Sequence, residues 1–223
     1  MKICVFGGTG LTGSNVIRVA IMKGYEVVAL ARRPEVLRTQ FPNIEVVQGD
    51  VYNAETIRTA IKDSDAVIST IGPSRRTLRA NLVPASRKRT NIYSEGVINI
   101  AKAMEEMGKR RLIVTVSLIG IDPQPDASWY ALAIRKNILI PLLGYQYRDS
   151  KMMMDKLIKL QGLDWTIVGL ARLTGRKPKG HYRSSIGTPI HHPSDINHSD
   201  LADYLVSIIS EPQTYNQWTE VSW

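Results

Sequence analysis

The feature that most limits what this chain can become is a cluster of four glycines, Gly7-Gly8-Thr9-Gly10-Leu11-Thr12-Gly13, directly behind the β-rich run Lys2–Phe6. Glycine supplies the backbone freedom and close approach that a tight strand-to-helix turn needs. Residues 11–23 then carry Leu11, Val16, Val19, Ala20 and Met22 at roughly helical spacing, so the segment reads as strand, glycine turn, helix. The cluster fits GxGxxG counted from Gly8 and GxxGxxG counted from Gly7. In this context the turn lets the backbone approach a pyrophosphate and aims a helix N-terminus at its negative charge.

Runs rich in Val and Ile recur at Glu26–Ala31, 44–48, 65–70, Arg111–Ser117 and 164–169, the composition of strands buried on both faces. Between them, Val97, Ile100, Ala101, Met104 and Met107 form an apolar helix face that stops at Gly108. Met154, Leu157, Ile158 and Gln161 lead up to Gly162 in the same way. This alternation predicts an α/β fold with a doubly wound parallel sheet. At 223 residues and 43% apolar composition the expectation is one domain with a substantial core. The single cysteine, Cys4, excludes an intrachain disulfide and a cysteine-based zinc site, and its apolar surroundings mark it as a core residue. The longest apolar stretches, such as 137–144, fall far short of the ~20 residues of a membrane span. The first residues carry no cleavable signal pattern, so a cytoplasmic protein without a membrane segment is expected.

Two stretches break the alternation. Residues 73–89 include Arg75, Arg76, Arg79, Arg87, Lys88 and Arg89 and follow a predicted strand end, the ligand side of an open α/β sheet. Residues 172–198, rich in proline, glycine and histidine, are expected to form an irregular lid or small C-terminal substrate lobe ahead of a helix over 200–210.

The end of the second strand selects the dinucleotide. NAD sites usually place an acid there for the ribose 2′-hydroxyl, whereas this chain reads Ala29-Leu30-Ala31-Arg32-Arg33. Guanidinium groups hold phosphate through paired hydrogen bonds, so NADP(H) is preferred over NAD(H), with Arg32 the first candidate and Arg33 the second. A net charge of +9 suits phosphate-bearing ligands and nonspecific nucleic-acid contact equally. The basic stretch 75–89 has no aromatic residue before Tyr93, so the stacking platform of a single-strand binder is missing and nucleic acid is not the expected partner.

The segments GGTGLTG, ALARR, QGDV at 48–51, STIG at 69–72, GLDWTIV at 162–168 and INHSDLADYL at 196–205 together resemble the atypical short-chain dehydrogenase/reductase superfamily. The resemblance is to its NmrA-like branch, which includes biliverdin reductase B, a flavin reductase, and it covers nearly the whole chain. It implies a Rossmann-type sheet in which Asp50 and Val51 lie against the adenine and Ile71 and Gly72 line the cofactor after the fourth strand. It also implies that Ser117 sits near the nicotinamide after the fifth strand. Where members commonly continue GLDWTIV with Arg-Pro, this chain has Gly169-Leu170 and then Ala171-Arg172-Leu173, which implies a reshaped pocket wall. Arg172 and Leu173 are candidates for that wall, Arg172 holding an acidic substrate or cofactor group or else a surface salt bridge.

Tyr147-Arg148-Asp149-Ser150-Lys151 is a YxxxK pattern that would put phenol and ammonium on one helix face, and with Ser117 it offers a Ser, Tyr, Lys set for proton transfer to a carbonyl. The branch resembled works without this tyrosine, by direct hydride transfer, so the catalytic role of Tyr147 and Lys151 stays an alternative. His191, His192 and His198 lack nearby paired carboxylates and cysteines and read as surface histidines; no metal is expected. Three functions follow from these residues and the resemblance. The first is an NADPH-dependent reductase passing hydride to a planar small-molecule acceptor such as a flavin, quinone or tetrapyrrole. The second is an NADP(H)-binding redox sensor with a regulatory protein partner. The third, a nucleotide-sugar epimerase or dehydratase, has only 72 residues after Lys151 for a sugar-binding lobe. Monomer and homodimer remain open.

Overall fold

A computed structural model describes residues 1–72, 91–117, 133, 135–170 and 172–223. The expected basic stretch 75–89 lies outside them. The N-terminal half alternates β1 (Lys2–Phe6), α1 (Leu11–Met22), β2 (Glu26–Ala31), α2 (Pro34–Gln40), β3 (Glu45–Gln48), α3 (Ala54–Ile61) and β4 (Ala66–Ser69). A π-turn, Ile92–Val97, leads into α4 (Ile98–Glu106), followed by β5 (Arg111–Ser117), α5 (Ile140–Leu157) and β6 (Asp164–Leu170). Beyond β6 come β7 (Arg172–Thr174), β8 (Arg183–Ile186), β9 (Asp195–Asn197), α6 (His198–Ser207) and β10 (Gln217–Ser222).

Eight strands form one sheet in the order β3-β2-β1-β4-β5-β6-β10-β8. All neighbours are parallel except β10 and β8. Successive side chains alternate across the sheet, and the core divides accordingly. Ile3 and Val5 of β1 face Val16, Ile17, Leu37 and Leu201 on the α1, α2 and α6 side. Cys4 and Phe6 face Ile57, Ile61, Ile100, Met104 and Met153 on the α3, α4 and α5 side. Two apolar layers on an apolar sheet are the reason these strands read as continuous Val and Ile runs. The doubly wound α/β expectation is met, and Cys4 is fully buried in the core, its thiol held protonated by burial. The chain leaves α4 through Gly108 at φ +66°, as the helix-stop pattern predicts.

The C-terminal part departs from the sequence reading. Residues 172–198 contain three short strands. β7 and β9 pair in a separate two-stranded sheet, while β8 extends the main sheet antiparallel to β10. β10, for which no strand was expected, completes the parallel part beside β6. The buried Asp200 carboxylate of α6 ties this region together, accepting from the Lys179 and Gly180 amides at 2.8 and 3.2 Å and from the Trp223 indole at 2.7 Å.

Candidate functional site

The sheet order runs outward from β1 to β2 and β3, then jumps back to place β4 on the other side of β1. At such a reversal the loops leaving the carboxyl ends of neighbouring strands diverge and open a crevice. The cleft found there holds about 660 Å³. The turn after β1 (Gly7, Thr9 and Gly10), the start of α1 (Leu11, Thr12 and Gly13) and the end of β2 with Arg32 and Arg33 line it. Gly49, Asp50 and Val51 after β3, and Thr70, Ile71 and Gly72 after β4, complete the walls with Ile92, Leu173 and His198.

The turn after β1 can be built only from glycine at two of its positions. Gly7 sits at φ +85°, and a Cβ there would lie 2.8 Å from Thr70 Oγ1. Thr70 in turn donates its hydroxyl to Phe6 O, locking the ends of β1 and β4 together. A Cβ on Gly13 would meet Gly7 O at 2.2 Å, so the first turn of α1 rests directly on the loop. The Gly10 amide closes the loop by donating to Gly7 O at 2.9 Å.

What this turn presents to the cleft is an unneutralised helix end. The N-cap of α1 is Gly10, which offers no side-chain acceptor, and the first turn contains no acid. The contrast with α3 and α6 is informative: the Asn53 side chain accepts from the Glu55 and Thr56 amides, and the Asn197 side chain accepts from the Ser199 amide. Those helices satisfy their own N-termini, whereas α1 leaves orphan N–H groups and a partial positive charge beside a cavity, the arrangement that suits an anion. The Arg32 side chain, which also lines the cleft, is 80% exposed, with Nε 4.0 Å from Asp50 Oδ2. It can swing to meet a second phosphate. A polyanionic dinucleotide with one phosphate pair at α1 and another phosphate near Arg32 therefore fits the residues present.

Of the residues singled out from sequence, Gly7, Thr9, Gly10, Leu11, Thr12, Gly13, Arg32, Arg33, Asp50, Val51, Ile71, Gly72 and Leu173 all line this cleft. Ser117, Tyr147, Lys151 and Arg172 do not. Ser117 ends β5 and is half-buried. Tyr147 is half-buried and Lys151 exposed on α5, a helix that begins well before them at Ile140. The inner face of that helix is formed instead by Asp149, Ser150, Met153 and Leu157. The Asp149 carboxylate accepts from the Tyr93 and Ser94 amides at 3.0 and 2.9 Å, so the middle of the YxxxK segment caps the π-turn that carries Ile92 to the cleft. The Tyr93 phenol is pushed up to about 12 by burial and by the nearby Asp149 charge. Arg172 is spent on Asp195: Nε donates to Oδ1 at 2.8 Å and a terminal nitrogen to Oδ2 at 2.7 Å. The surface salt bridge that the sequence offered as one alternative is present.

Sequence reasoning missed Thr70, Ile92 and His198. His198, read as a surface histidine, stands at the cleft with Nδ1 2.8 Å from Thr12 Oγ1. Its place in INHSDLADYL at a helix start was the available signal; the partner 186 residues away was not readable. Among the described residues no three His, Cys, Asp or Glu side chains converge as metal ligands. Among those residues, too, no helix is long and apolar enough to cross a membrane.

Comparison with known proteins bears on this geometry. A family described as NAD(P)H-binding matches residues 7–212. An isoflavone reductase homologue from Nicotiana tabacum is 23% identical over 97% of this chain, and the chain spans 66% of that relative's length. Solved structures share the fold. A wide-type short-chain dehydrogenase/reductase from Veillonella parvula, in complex with NADP, superposes with a TM-score of 0.77 at 14% identity, covering 100% of this chain and 94% of that one. The anaerobillin reductase ChuY from Escherichia coli O157:H7 gives 0.73 at 19% identity, covering 100% and 97%.

Proposed function

The chain belongs to the NAD(P)H-binding family, within an oxidoreductase fold that has reductases among its relatives, and on that premise we propose that it is an NADPH-dependent reductase acting on a planar acceptor such as a flavin, quinone or tetrapyrrole. The observation that carries the cofactor part is the uncapped, acid-free N-terminus of α1 facing a 660 Å³ cleft that an exposed arginine, Arg32, also lines.

In this reading Gly7–Gly13 and the first amides of α1 would hold the diphosphate. Arg32, seconded by Arg33, would grip the 2′-phosphate, a group NADH lacks. Asp50 and Val51 would bound the adenine, with Val51 buried as an apolar floor. Ile71, Gly72 and Leu173 would confine the rest of the dinucleotide, with Ser117 near the nicotinamide end. The bound cofactor supplies the hydride. The protein's own contribution would then be proximity and exclusion of water, which can suffice without a strong general acid. The strands of 172–198, tied to α6 through Asp200, would form the lobe against which the acceptor sits.

The test is NADPH oxidation by the purified protein with FMN, a quinone or biliverdin, alongside titrations of NADPH and NADH. Turnover with one of them is expected. Tight NADPH binding without turnover would replace the reductase by the sensor reading, and absence of dinucleotide binding would remove both.

A further inference from the structure

Thr12 is the second residue of α1, at the uncapped helix end, and its hydroxyl does not bond back within its own helix as helical hydroxyls elsewhere in the chain do. Ser14 Oγ donates back to the Leu11 carbonyl, and Thr39 and Thr59 donate to carbonyls one turn earlier in their own helices. Thr12 Oγ1 is instead bonded to the imidazole of His198, the first residue of α6, at 2.8 Å. Both residues line the cleft. The bond therefore joins the glycine turn to the helix that anchors the C-terminal region.

The direction of this hydrogen bond decides what Thr12 can offer a ligand. If the hydroxyl donates to Nδ1, its one hydrogen is consumed and only lone pairs remain for the cleft. If Nδ1–H donates to Oγ1, the hydroxyl hydrogen stays available. A diphosphate brings acceptors only, so the first arrangement opposes lone pairs to an anion and the second adds a donor beside the orphan amides of α1. Resting on the dinucleotide reading above, we infer that His198 is a positioning residue for Thr12: it donates through Nδ1–H and turns the Thr12 hydroxyl toward the cofactor's diphosphate.

A double-mutant cycle read out by dinucleotide binding tests this. Thr12→Val removes the hydroxyl and should weaken NADPH and NADH alike by roughly 10-fold, the scale of one hydrogen bond to a charged group. His198→Ala should weaken both by a similar factor, and the double variant should be no worse than Thr12→Val alone. His198→Asn, whose amide nitrogen falls near the place of Nδ1, should restore affinity to within about threefold of wild type if the donor is what matters. Nitrogen-15 NMR of His198 in the NADPH complex should show Nδ1 protonated, a signature that simple packing would not fix. Should His198→Ala fail to fold by circular dichroism, His198→Asn, Thr12→Val and the NMR measurement carry the test. Wild-type affinity in His198→Ala, additive losses in the double variant, or a complex protonated at Nε2 alone would overturn the inference while leaving the dinucleotide site standing. A wild-type protein that binds neither NADPH nor NADH would overturn both.

Discussion

Gly13→Ala puts the geometry of the glycine turn to a quantitative test. The added Cβ would stand 2.2 Å from Gly7 O, 2.7 Å from Gly7 C and 2.8 Å from Gly8 Cα, all backbone atoms that no rotamer change can move. Real Cβ atoms almost never approach closer than 3.0 Å, so turn and helix must separate by about 0.8 Å, the difference between 3.0 and 2.2 Å. Overpacking of this kind costs ~1–3 kcal/mol, and alanine returns ~1 kcal/mol through its better helix propensity. The net loss of stability should be about 1 kcal/mol, a lowering of Tm by roughly 2–4 °C for a chain of this size. The ligand should feel the change far more. A retreat of 0.8 Å takes a helix-end amide out of hydrogen-bonding range, and one charge-assisted bond is worth ~1.5–3 kcal/mol, roughly 10- to 150-fold in Kd. Calorimetric titration with NADPH beside a thermal melt measures both quantities. A variant that binds NADPH as tightly as wild type, at unchanged Tm, would refute the claim that the turn is packed to its limit and that its amides hold the ligand.

Three further outcomes are expected. Arg32→Ala should weaken NADPH binding by at least about 10-fold and leave NADH nearly unchanged, since only NADPH carries the 2′-phosphate; equal losses in paired titrations would count against that role. Asp149→Ala removes the acceptor of two π-turn amides on a buried carboxylate and should lower stability by ~2–4 kcal/mol in urea unfolding; a change within about 0.5 kcal/mol would contradict that capping role. The Arg172 hydrogen bond holds the Asp195 carboxyl below the ordinary carboxylate range. A depressed folded-state pKa gives stability that is present in full above the unfolded value near ~4 and disappears as pH falls through the folded value. The Tm gap between wild type and Arg172→Ala should therefore be constant from pH 7 to about 5 and shrink below about pH 4; a gap that widens in acid would show the sign to be wrong.

The strands that sequence makes visible carry contiguous Val and Ile residues, and apart from the edge strand β3, which has no buried residue, they are largely buried on both faces. In β1, β2, β5 and β6 every inward position on either side is Val, Ile, Leu or a comparably small or apolar residue, with Thr166 and Arg111 the buried exceptions. β10 hides because its buried residues include Thr219, Glu220 and Ser222, polar groups that interrupt the apolar run; Glu220 and Ser222 find partners elsewhere in the chain, accepting from the Ile190 and Ser194 amides. β7 and β9 are three residues each and gain their pairing from contacts across more than twenty residues. The same distinction holds at the cleft. Glycines and arginines stand out in the sequence through local backbone need and charge, and in the structure both line the cleft. His198 and Ile92 reach it only through tertiary packing. The YxxxK spacing was legible but ambiguous, because a helix face is defined by what lies opposite it, and there Asp149 rather than Tyr147 points to the interior.

The way the main sheet ends bears on how the molecule meets its own copies. A row of apolar strands such as β1, β4, β5 and β6 would be a ready template for cross-chain zippering if its margins were long and greasy. Here one margin is β3, four residues bearing Glu45 in an ion pair with Lys2. The other is β8, four largely exposed residues, Arg-Ser-Ser-Ile, running against the direction of the rest, with Arg183 engaging the carbonyls of His191, His192 and Trp223. Short length, charge and reversed polarity make both margins poor seeds for strand addition, so the protein can keep an aggregation-prone centre while guarding against templated self-association at its rims.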